Sequence, residues 1–184
     1  MHSRTNWPFV ALLALLGATP VQAQTPADSP VNKQVREGFW LEMDVGYAAF
    51  GCEGCGPRSN EVGLGLSIGG AVGDKWLIGL LSSVSVSNFD KDFEEREAGV
   101  MGLGAHYYPT PFSGFHWRGI VGVSYVSHDS GDPEYGSIGG FFGVGYDTPR
   151  TGSFGFTPYA GVVAGSIDGE TFNSLQIGVG LSWH

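Results

Sequence analysis

LQIGVGLSW, residues 175–183, alternates without a break: Leu175, Ile177, Val179, Leu181 and Trp183 fall on one side, and Gln176, Gly178, Gly180 and Ser182 on the other. Side chains of a strand point to opposite faces with period two, so this is a strand with one apolar face and one face of small or polar groups. A tilted strand of about this length crosses the hydrocarbon of a bilayer. Working back along the chain, the same pattern recurs near 39–50, 60–72, 76–88, 96–108, 115–127, 135–147 and 154–167, which with 171–183 makes eight strands. Eight is the smallest common count for a membrane-spanning barrel. The expected fold is all-β: an eight-stranded, antiparallel, up-and-down transmembrane β-barrel over residues 38–184.

The connections alternate in character. Gly73-Asp74-Lys75, PTPFSG at 109–114 and TPRTG at 148–152 read as compact turns. GCEGCG at 51–56, NFDKDFEE at 88–95, HDSGDPE at 128–134 and IDGE at 167–170 are more acidic. Short turns on one side and longer loops on the other are the asymmetry of outer-membrane barrels, with both termini on the periplasmic side. Register supports this reading. A hairpin closing through 73–75 sets Val72 opposite Trp76, Ile68 opposite Leu80 and Leu64 opposite Val84, so one face is apolar on both strands. Across PTPFSG, Tyr107 opposes Trp117 on the outside and His106 opposes Arg118 on the inside. For 154–167 no facing follows, because Phe156, Ala160 and Val162 compete with Tyr159 and Val163, and Pro158 complicates both choices.

A soluble eight-stranded barrel needs a charged outer face. Here the second face is Gly and Ser (Gly63, Gly65, Ser67 and Gly69, or Gly139, Gly143 and Gly145), which suits a narrow lumen and not a wet surface. Leu64, Leu66, Ile68, Ile78 and Leu80 suit hydrocarbon. Aromatics gather near strand ends and are expected to form two interfacial girdles. One comprises Trp40, Trp76, Tyr107, Tyr108, Trp117, Tyr146 and Trp183; the other comprises Phe50, Phe89, Tyr125, Tyr135 and Phe172.

At the other end of the chain, Arg4, the apolar run Phe9–Leu16 and Val21-Gln22-Ala23 read as a signal peptide over 1–23, cut after Ala23. Residues 24–37, polar and with two prolines, read as a disordered periplasmic lead-in. Losing 1–23 removes one Arg and no acid, so 9 Lys+Arg and 18 Asp+Glu become 8 and 18, and the net charge moves from −9 to −10. Such an acidic chain has no electrostatic footing for nucleic acid.

LQIGVGLSWH resembles the signal read by the barrel assembly machinery, with Gln176, Gly178, Leu181 and Trp183 matching in spacing and His184 departing from a final aromatic. GFWLEMDVGYAAFGCEGCG at 38–56, GVGYD at 143–147 and TPYAGVV at 157–163 are similar to a group of uncharacterised outer-membrane β-barrel-domain proteins, over nearly all of 38–184. The resemblance implies a fold and a location in the bacterial outer membrane, and no activity. Its expected partners are outer-membrane lipid and lipopolysaccharide, and the assembly machinery during insertion. The barrel is expected to be monomeric.

Candidate chemistry is sparse. Cys52 and Cys55 are the sole cysteines, and in an exported chain they are expected to pair as a small structural disulfide. They lack the setting of a redox motif and the further ligands of a metal site. Glu42 and Asp44 share the face opposite Leu41, Met43 and Val45, so they point inward with Arg118, His106 and Arg96 as the basic candidates. Ionised groups in a narrow lumen must pair, which predicts a salt-bridged plug, with a narrow ion path or small-ligand carrier as the alternative. His128, Ser130 and Glu134 contain the ingredients of a hydrolase. They faintly resemble the His-x-Ser pair of barrel lipid A deacylases, but Gly131 replaces the Asn of that family. Asp90, Asp92, Glu94, Glu95 and Glu97 are interleaved with Lys91 and Arg96 and read as a solvated loop. The resulting expectation is a structural or surface-interaction protein with no catalytic activity, no cofactor and no metal. A lipid A-modifying hydrolase and a narrow channel stand as the alternatives.

Overall fold

The computed structural model describes residues 36–87, 96–111, 113–128, 134–149 and 152–183. The leader 1–23, most of the lead-in, Phe89, Asp90, Lys91, Asp92, Glu94, Glu95, Ser130 and His184 lie outside the described residues. Eight strands follow in order among the described residues: β1 (Phe39–Cys52), β2 (Ser59–Val72), β3 (Trp76–Ser87), β4 (Arg96–Tyr107), β5 (Phe115–His128), β6 (Glu134–Tyr146), β7 (Phe154–Ile167) and β8 (Glu170–Trp183). Each pairs antiparallel with the next, and β8 returns to β1, closing the barrel. Closure leaves no edge whose N–H and C=O groups would face hydrocarbon unpaired. The closing ladder runs from Leu41↔Trp183 to Cys52↔Phe172.

The register read from the sequence is the register found: Val72↔Trp76, Ile68↔Leu80, Leu64↔Val84, His106↔Arg118 and Tyr107↔Trp117. The outward face is a belt of exposed apolar side chains, among them Met43, Val45, Leu66, Leu80, Leu103, Val121, Phe142 and Ile177. In β7 the outward side chains are Phe156, Pro158, Ala160 and Val162, while Thr157, Tyr159 and Val163 turn inward. The β6–β7 ladder stops at Gly145↔Tyr159, just before Pro158, whose ring nitrogen has no hydrogen to donate.

Three expectations need correction. Trp40, Tyr108, Phe50 and Phe172 are not in the girdles; all four are buried inside. Strand parity accounts for this: Trp40 and Phe50 share the face of Glu42 and Asp44, Tyr108 that of His106, and Phe172 that of Gln176. The lead-in ends earlier than 37, because Arg36 is itself buried within the barrel mouth. The loop expected at 167–170 is a tight turn. Asp168 and Gly169 both have positive φ (51° and 89°) between the paired Ile167 and Glu170, the geometry that Asp-Gly favours in a two-residue hairpin.

Candidate functional site

The functional candidate is the barrel interior, into which buried side chains from all eight strands project. At the mouth where β1 begins and β8 ends, Arg36 reaches across the opening. Its guanidinium donates to the Pro111 carbonyl at 2.5 Å and the Ser113 carbonyl at 2.8 Å, and lies 3.5 Å from Asp147 Oδ2. It also stacks 3.3 Å above the Tyr108 ring. Asp147 accepts from the Tyr108 hydroxyl at 3.0 Å and the Thr157 hydroxyl at 3.1 Å. Tyr108 lies between β4 and β5, and burial, together with the negative Asp147, holds its phenol well above the usual tyrosine range. His116 donates through Nδ1 to the Gly114 carbonyl, 3.0 Å away, and its ring stacks on His106 at 4.8 Å. His106 in turn meets the edge of Trp40 at 4.5 Å.

One layer further in, Arg118 faces two carboxylates. Its Nη2 donates to Asp44 Oδ2 at 2.6 Å and lies 3.2 Å from Glu42 Oε1. The structure thus brings Glu42, Asp44 and Arg118 together and sets His106 in the adjoining ring stack. Asp44 is seated on glycines from both neighbouring strands. A Cβ on Gly65 would fall 2.7 Å from Asp44 Oδ2, and one on Gly180 would fall 2.5 Å from Oδ1. The small inner face is therefore the socket for the plug.

The next layer mixes polar and apolar groups. Between β3 and β8, Ser83 donates to Gln176 Oε1 at 2.9 Å, and Ser85 to Ser174 at 2.6 Å. Val100, Ile120, Phe141, Val163 and Phe172 are buried in one apolar cluster that also takes in Leu77 and Leu81 of β3. At the far mouth, Arg96 pairs with Glu61 at 2.6 Å and lies 4.1 Å over the Phe50 ring. Arg96 was a candidate partner for Glu42 and Asp44; it serves Glu61 at the opposite end of the lumen. Sequence reasoning also passed over Arg36, Glu61, His116, Asp147 and Tyr159. Parity could have found most of them: Glu61 shares the face of Gly63, His116 that of Arg118, and Asp147 that of Gly145.

The remaining candidates lie apart from this column. Cys52 and Cys55 are joined by a disulfide with Cα atoms 5.3 Å apart. The Glu53 N–H inside that ring donates to the Thr171 carbonyl at 2.9 Å, carrying the β1–β8 pairing one step beyond the strands. Arg58 ties the same corner by donating to the Ala49 carbonyl and to Asn173. His128 opposes Arg96 in register. Of the assembly-signal residues, Gln176 and Gly178 face the lumen, whereas Leu181 and Trp183 face outward. Gly178 opposes Gly46 across the closing seam, and a Cβ on it would meet the Val45 carbonyl oxygen at 2.5 Å, so this position admits no side chain.

No protein-family model and no curated protein sequence matches the chain. Solved structures do match. Neisserial surface protein A is similar at TM-score 0.60 and 15% identity, over 79% of this chain and 96% of that one. Ail, the attachment invasion locus protein of Yersinia pestis, is similar at TM-score 0.57 and 12% identity, over 80% and 99%. A second Ail structure, in complex with the heparin analogue sucrose octasulfate, is similar at TM-score 0.53 and 14% identity, over 79% and 99%. The chain has the closed eight-stranded antiparallel fold of the small bacterial outer-membrane barrels, and its outward apolar belt is the surface that fold presents to lipid.

Proposed function

We propose that this protein resides in the outer membrane as a closed, side-chain-filled barrel with a structural or surface-interaction role and no catalytic activity. The observation that carries the reading is the column of paired charges across the lumen: Arg36 with Asp147 at one mouth, Arg118 with Asp44 and Glu42 inside, Arg96 with Glu61 at the other. Each joins residues distant in sequence, and together they leave the walls braced against one another. A carboxylate or guanidinium that is buried and hydrogen-bonded to its counter-charge is costly to expose, so the column resists opening. The surface role has precedent in the fold, since the Yersinia pestis barrel is an attachment invasion protein. On this reading the terminal mouth faces the periplasm, and the barrel is a monomer surrounded by lipid and lipopolysaccharide. The assembly machinery inserts it through the segment bearing Gln176, Gly178, Leu181 and Trp183.

The test is electrical and chemical. Protein refolded into planar bilayers should give no discrete conductance; steps altered by Arg118→Ala would make it a channel. Lipid A extracted from expressing cells should keep all its acyl chains. Loss of one, abolished by Ser130→Ala, would make it a hydrolase.

A further inference from the structure

The outward belt is not smooth. Where β4 meets β5, Ala105 opposes Gly119, and parity turns both positions outward along with Leu103 and Val121. The side chains around them stand well clear of the wall: Leu103, Val121 and Phe142 are 69%, 68% and 63% exposed. Phe142 bounds the β6 side, directly opposite Gly119. The result is an apolar hollow of about 530 Å³ over Ala105 and Gly119, open on its outer side. A Cβ on Gly119 would meet nothing nearer than 3.9 Å, so the floor has room to spare. That volume falls within the roughly 300–1,000 Å³ of small-molecule sites.

Toward the mouth where β1 begins and β8 ends, the hollow runs onto an aromatic ledge. Tyr107 and Trp117 oppose each other there, two residues beyond Ala105 and Gly119, or roughly 7 Å at the rise of a strand. Trp76 extends the ledge over β3, its ring 4.5 Å from that of Tyr107, and Trp117 stacks on Phe142 at 5.6 Å. Trp and Tyr rings favour the headgroup level of a bilayer, so the ledge marks where hydrocarbon ends. Lys75 comes immediately before Trp76. It is exposed and makes no ion pair among the described residues. Its carbonyl accepts from the Tyr108 N–H at 2.9 Å, which pins the turn against the end of β4. Arg36 and Arg118, the other described cations toward this mouth, are buried and paired. Asp74, exposed beside Lys75, is the one opposing charge in the turn.

Hydrocarbon hollow, interfacial ledge and exposed ammonium follow one another along a single stretch of wall. Acyl chain, glycerol ester and phosphate follow one another in the same order in a phospholipid. From this match we infer that the outer face of β3–β6 is a binding site for one phospholipid, with an acyl chain laid over Ala105 and Gly119 and the phosphate at Lys75. A chain in the hollow touches the floor and the flanking side chains, and so gains dispersion contacts that a flat stretch of belt does not offer. A lysine ammonium partners phosphate as a point charge. The lipid stays outside the wall, and the charge column in the lumen is untouched. The site rests on the outward belt alone, not on the closed lumen or on which mouth faces the periplasm.

The experiment is native mass spectrometry of the folded mature barrel, released from detergent micelles doped with dioleoylphosphatidylglycerol. One phospholipid should remain on each parent barrel. Gly119→Leu, which fills the floor, and Lys75→Gln, which removes the charge, should each weaken retention about tenfold. Asp74→Asn should not weaken it, and Leu64→Phe, on β2 away from the hollow, should leave it unchanged. Dioleoylglycerol, which has the chains without the phosphate, should be held by the parent no better than the phospholipid is held by Lys75→Gln. Each variant is first checked for the compact band on an unheated gel, and should Gly119→Leu fail to fold, Ala105→Phe fills the same space. No stoichiometric lipid on the parent, or retention that neither filling nor charge removal lowers, overturns the site. So does a phospholipid held no better than the diacylglycerol. A mass of two barrels that filling abolishes would make the occupant a second copy and overturn it equally. Conductance in planar bilayers would refute the closed lumen without bearing on this result.

Discussion

Arg118 is the residue on which the interior most depends, because it is the cation that Glu42 and Asp44 share. Removing one member of a buried ion pair leaves uncompensated charge and typically costs about 3–5 kcal/mol. Arg118→Ala should therefore lower the unfolding midpoint in detergent or lipid by that order, followed by tryptophan fluorescence in denaturant. Adding Asp44→Ala should recover part of the loss, since one orphaned carboxylate goes with it. Gly180 makes a sharper steric point. Its Cβ would sit 2.5 Å from Asp44 Oδ1, so Gly180→Ala should destabilise by roughly 1–3 kcal/mol, as overpacking does. Gly119→Ala should be tolerated, because its nearest such neighbour is 3.9 Å away on the lipid side. Tyr108 predicts a pH effect. Its phenol is held above its ordinary 10.0 in the folded barrel, so above that pH the unfolded chain ionises first. Stability is then full below about pH 10 and falls as pH rises; Tyr108→Phe should flatten that alkaline slope.

Among the elements, the seams differ in what holds them. The β1–β8 seam joins the ends of the chain, yet it is paired from Leu41↔Trp183 to Cys52↔Phe172 and then extended by the Cys52–Cys55 ring through Glu53. Reducing that disulfide should loosen the outer corner alone, since a short closed loop contributes little to global stability. Hydrogen exchange resolved by residue should show faster exchange at Glu53 and Cys55 on reduction, with the central strands unaffected. The β6–β7 seam is the contrary case: its ladder runs only from Gly140↔Ala164 to Gly145↔Tyr159, with Pro158 beyond one end and, near the other, a register shift in the β5–β6 ladder between Val123 and Tyr125. Gly136, Ser137 and Ser166 should exchange first among the described strand residues.

For the whole molecule, closure and the outward belt have one consequence that a gel can read. The folded barrel, with every strand paired to two neighbours, should resist sodium dodecyl sulfate at room temperature and migrate ahead of the boiled chain. A single band of unchanged mobility would argue that the strands do not close in detergent. Arg36 adds a dependence on the segment before β1. Arg36→Ala removes ties to Pro111, Ser113 and Asp147, so the temperature at which the compact band disappears should fall while the band itself persists.

How much was legible beforehand follows from the range of the forces involved. Strand number, facing and hairpin register are local properties: LQIGVGLSW declares its two faces by parity, and Gly73-Asp74-Lys75 sets Val72 against Trp76 without reference to anything distant. Parity also held more than was drawn from it, since Trp40, Phe50, Glu61, His116 and Asp147 are inward by the same count. In β7 parity could not choose, because both of its faces carry large side chains. Closure decided it: Gly161 sits against the Phe141 ring, and Tyr159 lies 4.7 Å beneath Arg118. Which charges meet across a lumen is a matter of height along the axis after eight tilted strands have been staggered. Sequence order says nothing of that height. The amino-acid sequence by itself determined a barrel with an oily outside and a small, polar inside. The tertiary structure alone decided that Arg118 serves Glu42 and Asp44, that Arg96 serves Glu61, and that Arg36 bars the terminal mouth, because those partners are joined through space and not along any strand.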